Sequence, residues 1–341
     1  MTASLFSFTL QGTALKNRLS ALLAQRGDRI FLPEPAGTLR EQAGQAFAGA
    51  DALIFIGAAG IAVRAVAPFL RSKTTDPAVV AVDEQARWAI PLASGHIGGA
   101  NSLARDIAAL LGAQAVITTA TDLNGAFALD LWAKANNLHI TSWELAKRFT
   151  ARILAAETLP LKSDYPITGA PPPNIALCRS EDAPFGALVS LYPPQKPWAH
   201  LVPQNLYLGI GCRKGAALSA IERAIAGALA QKGLNEKSVA GVGTLALKKD
   251  EAALAEVCEK RGWRFSWYAP ETLMSLAGEF SGSPFVMAVT GADNVCERAA
   301  VQASCGGNLI IKKFASKGVT VAAAARDIVL SFPSALGVKE T

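Results

Sequence analysis

The sequence predicts an α/β protein built from two α/β domains with mostly parallel sheets, joined by a small middle segment. Three observations predict it. Short apolar runs alternate with amphipathic stretches through the first third, as βαβ units require. The same alternation resumes after Gln204. Between the two, proline and glycine break the periodicity twice, at "LPLKSDYPITGAPPPN" from Leu159 and at "YPPQKPWAHLVPQN" from Tyr192 to Asn205. With 341 residues, 51% hydrophobic and 18% charged, the chain can bury more than one core and reads as globular rather than disordered.

Taken in order, "LIFI" (53–56) reads as a strand and 61–70 as a helix; "AVVAVD" (78–83) is a strand, 98–111 a helix, "AVIT" (115–118) a strand, and "GAFALDLWAKANN" carries a helix. The middle segment holds strands such as "NIALC" and "ALVSLYP". Then come the strand "NLYLGIG", a helix over 215–231, a strand near 239–247, a helix over 250–261, the strand "RFSWY" and a short helix from Pro270. "PFVMAV" reads as a strand leading by a loop into a helix over 293–303, and "NLIIKK" and "VTVAAAA" close the sheet. The boundaries are 1–140 for the first α/β domain, 141–203 for the middle segment and linker, 204–330 for the second α/β domain and 331–341 for a tail. In open α/β sheets ligands bind beyond the carboxyl ends of the strands, so the strand-to-helix loops are the places to search.

Composition narrows the function. No basic start leads into an apolar run, and nowhere do about 18 uncharged apolar residues stand together, so a cytoplasmic protein without a membrane span is expected. Five cysteines, an odd number with no C-x-x-C pair, suggest neither a disulfide framework nor a zinc site. The net charge of +6 favours anionic partners. Its basic residues are dispersed singles and pairs without a nucleic-acid signature, so a polyanionic small molecule fits at least as well as nucleic acid.

The densest motif is "PLASGHIGGANSLARDIAALLG" (91–112), which sets one of only three histidines, His96, between Gly95 and Gly98–Gly99 at the mouth of a helix beginning near Ala100. A glycine turn there leaves N–H groups that attract carboxylate or phosphate; His96 either works with them or simply caps and braces the turn. "TTATD" sets Thr119, Thr121 and Asp122 after a strand, to bind substrate, orient a histidine or cap the next helix. "RSKTTDP" puts Arg71, Lys73, Thr74 and Thr75 in one loop, suited to carboxylates or merely exposed. "VDEQARW" (82–88) reads as a hairpin turn. "GIGCRKG" (209–215) lacks the P-loop pattern; it is an anion cradle with Arg213 and Lys214 at a helix start, or a tight turn with both solvated. In "LALKKDEAAL" Lys248 and Lys249 are functional candidates, while capping explains Asp250 and Glu251. Cys212 is a weak nucleophile candidate, and His139 and His200 receive no role.

Over Ile56 to Asp122, the string from "IGAAGIAVRAV" through "SGHIGGANSLARDIA" to "AVITTATD" resembles the N-terminal domain of the cobalt-precorrin 5A hydrolases, the CbiG family of anaerobic cobalamin biosynthesis. "LGIGCRKG", "LKKDE", "SPFV", "VCERAA" and "VTVAAAARD" resemble that family's C-terminal domain over about Leu206 to Asp327. The resemblance implies a hydrolase acting on an anionic cobalt-corrinoid intermediate: water opens a δ-lactone closed on the ring A acetate, and a two-carbon fragment leaves as acetaldehyde. It also implies that cobalt enters with the substrate, with no other cofactor or protein-held metal, and that the partners are this substrate and neighbouring pathway enzymes rather than nucleic acid or a membrane. Such chemistry needs a general base, oxyanion donors and cations for the peripheral carboxylates. On that reading His96 is the base, Asp122 orients it, and the turn of Gly95, Gly98, Gly99 and Ala100 supplies donors. Arg64, Arg71, Lys73, Thr74, Thr75, Thr119, Thr121, Arg213, Lys214 and Lys248 bind substrate. A carrier that holds a corrin without reacting it is the rival.

Overall fold

The computed structural model describes residues 1–72, 75–119 and 125–332, and the chain divides into two units, Met1–Leu131 and Trp132–Thr341. In the first, β1 (Thr2–Ser7), α1 (Leu10–Gln25), β2 (Arg29–Ile30), α2 (Leu39–Gly49), β3 (Ala52–Ile56) and α3 (Ala59–Val66) precede β4 (Ala78–Val82), β5 (Trp88–Ala93), α4 (Ala100–Leu111) and β6 (Gln114–Ala115). The sheet order is β2-β1-β3-β4-β5-β6. Thr9 caps α1, and Thr38 with Glu41 forms a capping box at α2. All five residues of β3 are buried, and they alternate by face. Leu53 and Phe55 pack towards α2 and α3, while Ala52, Ile54 and Ile56 pack with the apolar stripes of α1 and α4.

One strand runs against the rest. β1, β2, β3 and β4 are parallel, but β5 pairs antiparallel with β4 after a turn in which Asp83 accepts hydrogen bonds from the Arg87 and Trp88 N–H groups at 2.7 and 2.6 Å. β6 follows β5 in parallel. Both therefore end at the edge where β3 and β4 begin.

The second unit continues α5 (Leu129–Ala135), which straddles the division, with β7 (Leu138–Ile140), α6 (Trp143–Leu154), β8 (Leu159–Ser163), β9 (Ile167–Thr168), β10 (Ile175–Cys178), β11 (Ala187–Val189) and β12 (Ala199–Pro203). These strands make a sheet of order β10-β8-β11-β12-β7, with β9 set aside to pair with β18 (Leu330–Ser331). A further sheet, β15-β14-β13-β17-β16, comprises β13 (Leu206–Cys212), β14 (Val239–Leu245), β15 (Arg264–Tyr268), β16 (Asn308–Ser316) and β17 (Val319–Ala325). One face packs on α7 (Leu218–Gln231) and α8 (Ala252–Arg261). The other takes α11 (Cys296–Ala303); α9 (Pro270–Met274) and α10 (Pro284–Thr290) precede it in the chain.

Most expected elements appear with shifted ends, and one changes type. "PFVMAV" is helical, because Ser283 caps it through the Val286 N–H and Pro284 holds its first position. The helix expected at 61–70 is α3 followed by a 3-10 turn at Ala67–Phe69, and that expected at 215–231 starts only at Leu218. Among the described residues no helix is long and apolar enough to cross a membrane.

α11 lies against β13 and β14 where both lack side chains: a Cβ at Gly209 would overlap the Cys296 carbonyl, and one at Gly243 would stand 2.6 Å from that of Ala299. Gly209→Ala is therefore expected to destabilise the chain by about 3 kcal/mol in urea titration, because backbone must move to admit the methyl group. Gly60→Ala in α3, where nothing lies within 4 Å of the new Cβ, is expected to stabilise it by about 0.5 kcal/mol.

Candidate functional site

In the first unit, Ser94 leaves β5 with a positive φ of 57° and is buried; five residues later Gly99 (φ 87°) starts α4. The turn is tightly closed. The Gly99 N–H donates to the His96 carbonyl at 3.0 Å, the Ala100 N–H to Ser94 O at 3.0 Å and the Asn101 N–H to Gly95 O at 3.0 Å. Gly98 is required by space: a Cβ would overlap that of Ser94 and stand 3.0 Å from the Asp76 carbonyl. Two of the expected oxyanion donors, Gly99 and Ala100, are thus spent inside the turn, while the N–H groups of Gly95 and Gly98 have no backbone partner among the described residues.

The neighbouring loop is organised by Asp76, only 8% exposed, whose carboxylate accepts from the Arg71 and Ser72 N–H groups at 2.8 and 2.9 Å. This buried acid, which the sequence reading passed over, holds the segment carrying Arg71 and Thr75, both exposed, against the glycine turn. Arg64 stands exposed in the last turn of α3, which runs back towards the same edge. Thr119 accepts a 2.8 Å hydrogen bond from the buried Asn101 amide. All of these lie at the edge where β3 and β4 begin, not at their carboxyl ends, because β5 reverses the direction.

A carboxylate does meet the histidine. Asp130, near the start of α5, places Oδ2 3.5 Å from His96 Nδ1, with both side chains mostly buried (16% and 13% exposed). A carboxylate at Nδ1 favours the tautomer with its proton there and its lone pair at Nε2, the form a general base needs. Asp122, expected in this place, lies outside the described residues, as do Lys73, Thr74 and Thr121. Asp130 was missed because its "FALDLWAK" setting reads as an ordinary first-turn acid.

The second unit holds a cavity of about 1010 Å³ at the carboxyl ends of β13 and β14, where the strand rule places ligands. Its wall brings together Arg213, Lys214 and Lys248, the predicted cations of this half, and adds Lys313 from β16. Arg213 and Lys214 do not stand at a helix start. Three residues separate Lys214 from Leu218, and the intervening turn is pinned from outside. Glu251 accepts from the Gly215 N–H at 2.7 Å and from Lys248 Nζ at 3.2 Å. Its own helix receives no side-chain cap from it, so the capping role expected of Glu251 is replaced by bracing of the Arg213–Lys214 turn. Burial pushes its carboxyl up, but the bonds from Lys248 and Gly215 outweigh this and hold it below the usual carboxylate range.

The opposite half of the frame rests on "NVCERAA". Glu297, 1% exposed, accepts from the Ser281 N–H and hydroxyl, the Asn294 amide and the Lys313 N–H, all between 2.7 and 2.9 Å. Arg298 makes two bonds to Asp293 at 2.6 and 3.1 Å, reaches the Leu273 and Leu276 carbonyls and lies over the Phe280 ring. The Arg298 hydrogen bonds hold Asp293 below its ordinary range. These side chains fasten the wall rather than face a ligand, a role no local pattern announces. Cys212 and Cys296 also line the cavity. Burial raises both thiols, Cys296 to about 11, which disfavours the thiolate a nucleophile requires. His200 is buried with Nε2 3.0 Å from the Ser190 carbonyl, and burial lowers both it and His139.

Comparison with known proteins follows the same division. Residues 41–122 match the family model described as Cobalamin synthesis G N-terminal, and residues 206–324 match Cobalamin synthesis G C-terminus. The chain is 34% identical over 338 residues to the cobalt-precorrin-5A hydrolase of Salmonella typhimurium, covering 93% of this chain and 96% of that protein. It is 35% identical over 311 residues to the cobalt-precorrin-5A hydrolase of Priestia megaterium, covering 85% and 82%. A crystal structure of a cobalamin biosynthesis protein G homolog from Sulfolobus solfataricus aligns over 96% of this chain and 97% of its own, with 20% identity and a TM-score of 0.43. With both domain models matched in order and a relative aligned nearly end to end, the chain belongs to the cobalt-precorrin-5A hydrolase family.

Proposed function

We propose that this protein hydrolyses cobalt-precorrin-5A, opening its δ-lactone and releasing acetaldehyde, with His96 as general base and Asp130 as the group that orients it. The observation that carries the residue assignment is the His96–Asp130 pair, 3.5 Å apart in a glycine-bound turn at the mouth of a helix. Family membership, through relatives named for this reaction, carries the activity. Cobalt enters and leaves as part of the substrate.

The chemistry divides into two steps. His96 Nε2 draws a proton from water as its oxygen bonds to the lactone carbonyl; the Gly98 N–H stabilises the developing oxyanion, and the ester C–O bond then breaks to leave the ring acetate and an alcohol. Loss of the hydroxyl proton next drives the carbon–carbon bond to cleave. The oxygen becomes the aldehyde carbonyl, and the bonding pair stays on the conjugated macrocycle. One water is consumed for each acetaldehyde released. Arg64 and Arg71, at the same edge of the first sheet as His96, contact substrate carboxylates in this scheme.

Anaerobic incubation with cobalt-precorrin-5A, following acetaldehyde and the mass of the macrocycle, tests the reaction; binding without acetaldehyde from the wild type would establish the carrier instead. His96→Ala is expected to lower kcat by about 100-fold or more with substrate affinity retained, and added imidazole to restore part of the rate. Retention of near-wild-type turnover would remove His96 from the mechanism. Asp130→Asn is expected to reduce kcat by about tenfold with KM unchanged, as loss of an orienting group does.

A further inference from the structure

We propose that the cavity of the second unit is itself a macrocycle-binding site, taking a flat cobalt corrin with its apolar face on α10 and its carboxylates on Arg213, Lys214 and Lys313. The assignment of a corrin as occupant rests on the family reading above; the chemistry of the cavity stands on three observations of its own.

The first is charge. Of the ionisable groups in the wall, Lys248 is paired with Glu251 and Asp293 with Arg298. That leaves Arg213, Lys214 and Lys313 with no ion pair among the described residues, against the single uncommitted carboxylate of Asp250. A cavity with that surplus selects anions.

The second is the spacing of the donors. Arg213 and Lys214 come from the turn after β13 and Lys313 from β16, while the Gly215 N–H, the natural backbone donor for a phosphate, already belongs to Glu251. Cations on separate elements suit carboxylates spread round a ring better than one compact phosphate.

The third is α10. Phe285 is 77% and Val289 64% exposed, and both line the cavity together with Val286. None of the helix's seven residues is buried. An apolar wall beside a cationic one matches a macrocycle whose flat face is hydrocarbon and whose rim carries acetates and propionates. The volume, about 1010 Å³, lies at the top of the range for small-molecule sites.

The test titrates the full chain with cobyrinic acid, a stable cobalt corrin with free carboxylates, and with its heptamethyl ester, reading corrin absorbance. Arg213→Gln with Lys313→Gln is expected to weaken the acid about 30-fold and the ester less than about threefold. Phe285→Ser with Val289→Ser is expected to weaken both ligands about tenfold, without loss of fold because both side chains are exposed. Wild-type affinity in both double variants, or no binding of the acid by wild type, overturns the cavity assignment even if acetaldehyde is released. Binding that the variants abolish, in a chain that releases no acetaldehyde, overturns the hydrolase reading and leaves the cavity assigned.

Discussion

The second unit depends on the absence of two side chains. Because β13 and β14 meet α11 at Gly209 and Gly243, the helix lies backbone to backbone on the sheet at these two points. Glu297, in the first turn of this closely docked helix, is buried. A buried carboxylate is costly unless its lone pairs are all engaged, and here four donors engage them without any cation. Those donors belong to the segment before α10, to the turn before α11 and to β16. One interaction therefore gathers three walls of the cavity. The bond from the Lys313 N–H has a further consequence: it fixes the backbone at Lys313 while its ammonium group carries no ion pair among the described residues.

The first unit reaches its site by a reversal instead of a close approach. Had β5 continued the parallel run, the glycine turn after it would stand at the carboxyl edge with the turn after β3. The Asp83 hairpin sends it back, so that His96 emerges where β4 begins and the Asp76 loop enters. The contact between Gly98 and the Asp76 carbonyl leaves no room for a side chain. Turn and loop are thus two halves of one surface, and the Ser94 and Gly99 backbone angles that close the turn use up the N–H groups that a looser turn would present.

These two devices explain what was legible in the sequence. The continuous apolar run of β3 and the stripe of α4 gave the layers, since each apolar residue had a face to reach. "SGHIGG" was legible as a turn because glycine and a lone histidine are rare together. The hairpin at "VDEQARW" was legible too, yet its consequence for the edge was not, because the rule for ligand position presumes parallel strands. "PFVMAV" misled through its content: six apolar residues satisfy strand and helix alike, and only the preceding serine and the proline decide. Asp130, Glu251 and Glu297 escaped for a different reason. The partners that give them their place, His96, Gly215 and Lys313, lie 34, 36 and 16 residues away, and an acid's distant partner leaves no mark on its neighbours.

Charge was the least legible property. A net +6 among 33 basic residues names no site. What distinguishes them is commitment. Arg26, Arg152, Arg261 and Arg298 are held by the protein's own carboxylates, and their charge is neutralised where it stands. Arg64 and Arg71 beside the His96 turn, and Arg213, Lys214 and Lys313 in the cavity, have no such partner among the described residues. Each must remain hydrated until an anion arrives, and none is close enough in sequence to others to form the block of like charge that binds nucleic acid. In the cavity, a ligand whose carboxylates are distributed round a rigid ring would meet Arg213, Lys214 and Lys313 together, since the ring has already fixed where its charges lie. Dispersal of the basic residues, which looked uninformative along the chain, is what lets cations from the turn after β13 and from β16 line one cavity.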